Sequence, residues 1–185
     1  SIRSKTLAKK NPNHPPKGSI ITVDPIRNIK DITIIKKLLA DNPRNKLLFI
    51  MGINNGLRVG DLLRLKVGQV RYLKPNDTLQ IKEGKTKKTN VLMLNKSVYE
   101  ALHLYLEEAK PSDDEYLFAS RKGNKPLTIQ SVNALVKHWT STINLKGNYG
   151  AHSLRKTWGF IQRTQFGIGF EVLCKRFNHS NPSVT

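Results

Sequence analysis

Apolar residues return along the chain at two different spacings. From Asp31, a plausible helix cap, Ile32, Ile34, Ile35, Leu38 and Leu39 recur with helical period, and Pro43 follows the end of that helix. Leu47, Leu48, Ile50, Met51 and Ile53 form a second helical stripe. Asn54-Asn55-Gly56 reads as its C-terminal stop, with Gly56 turning the chain. Val59 to Leu65 makes a short third helix that turns Leu62, Leu63 and Leu65 inward. The period then changes. Val70–Leu73, Thr78–Lys82 and Asn90–Leu94 read as three short antiparallel strands, joined by Pro75-Asn76-Asp77 and by a Lys-rich turn around Gly84. Lys96–Ala109, Ile129–Ile143, Ser153–Gln165 and Phe170–Phe177 read as helices, with Pro111 and Pro126 marking loops. The pattern predicts a fold that is mainly α with a small three-stranded antiparallel β-sheet.

Residues 1–20, with Asn11-Pro12-Asn13-His14-Pro15-Pro16-Lys17-Gly18, have no period and read as a basic linker. Residues 21–185 read as one domain, since 185 residues suffice for a real core without disulfide or metal staples. The single cysteine, Cys174, excludes an internal disulfide framework and a Cys-rich zinc site, and fits a reducing compartment. No apolar run approaches the roughly 18 residues that span a bilayer, and the N-terminus has no apolar signal-peptide core. A cytoplasmic protein without a membrane partner is expected.

Charge changes this picture most. Thirty-two Lys and Arg against thirteen Asp and Glu leave +19 at pH 7, which points to a polyanionic partner, while 38% hydrophobic residues in regular patterns argue against a disordered basic tail. The charge is unevenly placed. Glu107, Glu108, Asp113, Asp114 and Glu115 concentrate acid in one stretch, which should face away from nucleic acid. Residues 1–20 carry five Lys and Arg and no acid, and residues 116–185 carry ten against one acid, Glu171. Double-stranded DNA is the expected partner.

Candidate chemistry rests on isolated basic residues, because the chain shows no dense metal-ligand cluster, no phosphate-binding P-loop signature and no Gly-x-Ser-x-Gly elbow. Arg58 begins a helix just after a glycine turn, with Asp61 three residues on and on the same face. An arginine so held can fork onto a phosphate, although a plain surface Arg/Asp pair fits the spacing equally well. The turn Glu83-Gly84-Lys85-Thr86-Lys87-Lys88-Thr89-Asn90 can present a lysine to a bound substrate, although such tips are commonly only solvated. His152 and Arg155 share a face at a helix start, where backbone N–H groups favour phosphate. Asn178-His179-Ser180 offers a further imidazole. His14, His103 and His138 read as linker, packing or surface residues.

In this order, Gly56-Leu57-Arg58-Val59-Gly60-Asp61-Leu62-Leu63, the hairpin Lys85, His152-Ser153-Leu154-Arg155 and Asn178-His179-Ser180 resemble the catalytic domain of the tyrosine recombinases, the phage integrase family. The resemblance runs from about Ile20 to the end. It implies that Arg58 and Arg155 clamp the non-bridging oxygens of a scissile phosphate, with Asp61 orienting Arg58. It further implies that His152 acts as general base or hydrogen-bond partner, Lys85 as general acid toward the departing 5′ oxygen, and His179 as a further phosphate hydrogen bond. A tyrosine hydroxyl would form a 3′-phosphotyrosyl link, with no metal and no cofactor.

The chain departs from the family pattern after His179, where that tyrosine should follow by two to three helical turns. Tyr72, Tyr99, Tyr105, Tyr116 and Tyr149 all lie upstream, so the nucleophile is expected beyond Thr185 and this stretch by itself is expected to be inactive. Lys82, Lys87 and Lys88 are near enough to compete with Lys85 for its role. The linker is what an N-terminal core-binding domain would leave, and family members are expected to work as tetramers on DNA, with a monomer compatible with this stretch alone. Two other readings compete: a DNA binder without catalysis, such as a repressor or degenerate integrase, and a type IB topoisomerase.

Overall fold

The computed structural model describes residues 22–165. Seven helices and one two-stranded sheet follow in the order α1 (Ile29–Leu38), α2 (Pro43–Asn54), α3 (Val59–Leu63), α4 (Val67–Val70), β1 (Thr78–Lys82), β2 (Thr89–Met93), α5 (Lys96–Ala109), α6 (Ile129–Thr142) and α7 (His152–Gln165) among those residues. The linker 1–20, Cys174, the expected helix Phe170–Phe177 and His179 lie outside the described residues.

α1 starts three residues earlier than Asp31 would place it, because the Asn28 side chain accepts the backbone N–H of Lys30 and is the cap. Asp31 instead stands in the first turn, where a carboxylate faces the positive end of the helix dipole. Pro43 follows the end of α1, as the sequence suggests, and itself opens α2. It occupies the first turn, where a missing N–H leaves nothing unsatisfied, and Asn42 caps the N–H of Asn45.

α2 is apolar nearly all round and runs through the middle of the core, with Leu47, Leu48, Phe49, Ile50, Met51 and Ile53 buried. Its stop is not the left-handed glycine that Asn54-Asn55-Gly56 suggests. Asn55 is extended at φ −136°, and its side chain donates to the carbonyls of Met51 and Met93 while accepting the Met93 N–H at 2.8 Å. One buried amide thus closes the helix and stitches it to β2.

The sheet has two strands, not three, with Thr78 opposite Met93 and Lys82 opposite Thr89. The third expected strand, Val70–Leu73, is absent because Val70 closes α4, and Arg71 continues the helical conformation. Val67 and Val70, three apart, are both fully buried, and the Gln69 side chain accepts the Lys66 N–H at 2.8 Å. The acidic segment is held against this short helix: Gly68 N–H bonds the Asp113 carbonyl, and Arg71 bonds Asp113 Oδ1 at 2.7 Å and the Pro111 carbonyl.

α5 and α7 pack on the two flanks of α2, and Phe49 meets Trp139 of α6 edge to face at 5.9 Å. Gly52 is what lets α7 approach, since a Cβ there would lie 2.9 Å from Leu154 Cδ1. A strap ahead of α1 fastens α7 from the other side. Ile26 N–H bonds Thr157 Oγ1 at 2.9 Å, and Lys156 Nζ bonds the Val23 carbonyl at 3.0 Å. No described helix is long and apolar enough to cross a membrane.

Candidate active site

Arg58 is the cap residue of α3, set in extended backbone at φ −65°, ψ 139° by the turn that leaves α2. Its guanidinium turns inward to the hairpin. Nη1 donates to Glu83 Oε2 at 2.8 Å, and the Glu83 side chain is completely buried while that of Arg58 is 17% exposed. Glu83 also accepts from Thr86 Oγ1 at 2.6 Å and Asn90 Nδ2 at 3.2 Å. A carboxylate withdrawn from water to this degree needs several donors, one of them charged.

Asp61, expected to orient Arg58, serves other partners. Oδ1 accepts the Gly84 N–H at 3.0 Å and a bond from the Arg64 guanidinium, while Oδ2 is buried with no hydrogen-bond partner. The reason is one of spacing. Residues three apart share a helix face, but Arg58 precedes the first turn of α3 and its side chain leaves the helix for the hairpin. Glu83 was passed over by pattern reading because it lies 25 residues away, next to a Lys-rich turn that draws attention to its lysines.

Between β1 and β2 the turn is closed by Glu83 N–H to the Lys88 carbonyl at 2.8 Å and Lys87 N–H to the Glu83 carbonyl at 3.0 Å, with Lys87 at positive φ. Lys85 stands exposed at its tip, between Gly84, tied to Asp61, and Thr86, tied to Glu83. Lys82, Lys87 and Lys88 are exposed as well. Two buried carboxylates therefore join the hairpin to the Arg58 segment.

Arg155 comes to the same place from α7. It is 2% exposed, among the largest fully buried side chains, and its Nε donates to the Gly56 carbonyl at 3.1 Å, in the turn that delivers Arg58. Burial first, then repulsion from Arg58, pushes the Arg155 guanidinium down to about 10, against the attraction of Glu83 and Asp61. Arg58, Arg155, Glu83 and Asp61 thus form one electrostatic cluster. His152 is the first residue of α7, exposed one helical turn before Arg155. The α7 start is fixed by Ala151 N–H to Asn133 Oδ1 at 2.6 Å and Gly150 N–H to Ser153 Oγ at 3.0 Å.

Arg58, Arg155 and the Lys85 hairpin, distant in sequence, are therefore gathered around one turn. Chemically the group offers two guanidiniums whose charge Glu83 and Asp61 offset only in part, and which a bound phosphate could engage. His179 lies outside the described residues. The described tyrosines serve the fold: Tyr149 donates to the Lys146 carbonyl at 3.0 Å, and Tyr72 to Asp113 Oδ2 at 2.7 Å. His103 stacks against Tyr99 at 4.2 Å, and His138 is exposed on α6.

The profile of the phage integrase family matches residues 25–185. The chain is 36% identical over 166 residues to the probable integrase/recombinase YoeC of Bacillus subtilis (strain 168), covering 88% of this chain and 87% of that protein. It is 29% identical over 181 residues to the tyrosine recombinase XerA of Pyrococcus horikoshii, covering 95% of this chain but 58% of that protein. In fold it is similar to a crystal structure of XerA recombinase, with a TM-score of 0.71 at 16% identity, over 89% of this chain and 60% of that one. The XerH site-specific recombinase, in a pre-cleavage complex with its difH substrate, gives a TM-score of 0.70 at 22% identity, over 86% of this chain and 48% of that one. With the mainly helical fold, the small antiparallel sheet and the paired arginines in place, this chain belongs to the phage integrase family and is a tyrosine recombinase catalytic domain.

Proposed function

We propose that the chain carries the phosphate-activating half of a site-specific DNA recombinase, which cuts and rejoins DNA by metal-independent transesterification. The observation that carries this is the convergence of Arg58 and Arg155, 97 positions apart, on the turn at Gly56. Burying two like charges side by side is unfavourable, and a bound phosphate diester would relieve it. XerH and the Tn1549 transposon integrase have been solved with DNA, and the +19 charge of this chain suits the same class of partner.

In the proposed step a tyrosine hydroxyl from outside this sequence attacks phosphorus and gives up its proton, with His152 as base or hydrogen-bond partner. The bond to the 5′ oxygen breaks, and that oxygen leaves as a hydroxyl with a proton from Lys85. Arg58, Arg155 and His179 hold the non-bridging oxygens, where charge builds in the pentacoordinate transition state. The products are a 3′-phosphotyrosyl link and a free 5′ hydroxyl. The bond energy is kept, so the reverse attack by another 5′ hydroxyl rejoins the strand without ATP. Assembly as a tetramer on paired sites belongs to the same proposal.

The test is covalent trapping. The product of the whole reading frame is mixed with a pool of nicked duplexes of random core sequence, and protein-linked DNA is recovered and sequenced. A phosphotyrosine adduct that survives detergent denaturation and is removed by protease is expected, and Arg58→Ala or Arg155→Ala should lower its rate at least about a hundredfold. DNA binding without any adduct would replace the proposal by a non-catalytic binder. An adduct formed at the wild-type rate by either variant would remove the assigned roles.

A further inference from the structure

Glu83 is the most completely buried carboxyl group in the hairpin, and the proposed reaction assigns it nothing. We infer that Glu83 is a positioning residue, whose buried carboxylate aims the Arg58 guanidinium and anchors the turn that carries Lys85. The inference rests on the reading of Arg58 as phosphate clamp and Lys85 as general acid.

The geometry divides the work between two oxygens. Oε2 is shared by Arg58 Nη1 at 2.8 Å and Thr86 Oγ1 at 2.6 Å, so the arginine and the turn are registered against a single atom. Oε1 takes Asn90 Nδ2 at 3.2 Å, which fixes the carboxylate plane from the start of β2. Lys85 itself is exposed, but Gly84 before it is held by Asp61 and Thr86 after it by Glu83. A solvated lysine is thereby mounted on a base that two buried carboxylates pin on either side. An ion pair at a fully buried carboxylate holds a guanidinium far more firmly than the exposed Arg58/Asp61 pair that spacing alone suggests. It also leaves Arg58 17% exposed, open to an incoming phosphate.

Glu83→Gln keeps the size of the side chain and removes its charge. In the product of the whole reading frame, at saturating nicked DNA, this variant should form covalent adduct about a hundredfold more slowly, the scale of a reacting group displaced by about 1 Å. Its Kd for DNA should move less than about threefold, because the group touches no DNA. The double variant Glu83→Gln/Arg58→Ala should be slower than Arg58→Ala alone by no more than about tenfold, since with Arg58 gone only the anchoring of the turn is left for Glu83 to lose. Adduct formation by Glu83→Gln at the wild-type rate, or fully additive losses in the double variant, would overturn the inference.

Thr86→Val leaves the carboxylate in place and serves if Glu83→Gln fails to fold. It releases one arm of the turn, and a rate loss of about tenfold is expected; no loss would count against the inference. Should the wild-type protein form no adduct, the catalytic proposal falls, and hydrogen exchange of the backbone amides of residues 84–88 decides for Glu83. Exchange at least about tenfold faster in Glu83→Gln supports anchoring of the turn, and unchanged exchange overturns it.

Discussion

A guanidinium is among the most costly groups to bury, and Arg155 is 2% exposed in the core face of α7. Because its folded value is lowered to about 10, well below the ordinary arginine value, the charged form is the one the fold disfavours. For a base this sign means that stability is reduced at every pH below about 10, and recovers only as pH rises from there towards the ordinary value. At neutral pH the strain is relieved by bringing an anion to it, so ligand binding should be worth more to this protein than to a variant without the charge. Short DNA duplexes at fixed excess should raise the melting temperature of the wild-type protein, and Arg155→Ala should lose most of that increment while still binding DNA through surface lysines. An equal rise in both proteins would show that the buried charge does not meet phosphate. Two further details were invisible to spacing. Arg58 prefers Glu83, 25 positions away, to Asp61, three away, and Asp61 keeps a buried oxygen without a hydrogen bond.

Elements are placed here by close approaches that single side chains permit. At Gly52, in the middle of α2, a Cβ would meet Leu154 Cδ1 at 2.9 Å and Leu154 Cβ at 3.0 Å, so the close-packed helices would have to shift. Gly52→Ala should therefore destabilise by about 1–3 kcal/mol in urea unfolding, despite the better helix propensity of alanine. Gly60 in α3 is the opposite case. A Cβ there finds only Ile129 Cδ1 at 3.6 Å, an ordinary contact, so Gly60→Ala should stabilise by up to about 1 kcal/mol in the same assay. The acidic loop is held to α4 through Asp113, whose carboxyl lies below its ordinary value owing to hydrogen bonds first from Tyr72 and then from Arg71. With that sign its contribution is present above the unfolded value and is lost as pH falls through the folded one. The pair is exposed, so Asp113→Asn should change stability only slightly near pH 7, and still less once pH falls below the folded value.

Across the whole molecule, charge and fold act together. Pro111, Asp113 and Glu115 fasten the acidic segment to α4. If about four phosphates are neutralised on binding, the slope of log K against log salt is near −3.6, and a fourfold rise in salt should weaken DNA binding by more than about a hundredfold. A fluorescence titration between 50 and 200 mM salt, values chosen for about that fourfold span, checks this. A binding constant independent of salt would mean that phosphate contacts do not dominate.

By itself the sequence determined the helical class, the burial of α2, the strands at Thr78–Lys82 and near Asn90–Leu94, and the family to which the chain belongs. Those features are written in local periodicity and in the order of short motifs, and local periodicity is what a one-dimensional pattern carries. Only the tertiary structure decided that Val70 ends a helix and does not begin a strand, that Asn55 and not Gly56 stops α2, and that Glu83 takes the partner expected for Asp61. Val70 and Tyr72 alternate as in a strand while Val67 and Val70 are spaced as in a helix, so such a short stretch suits either period, and a buried carboxylate chooses its cation by distance in space, which separation along the chain does not encode.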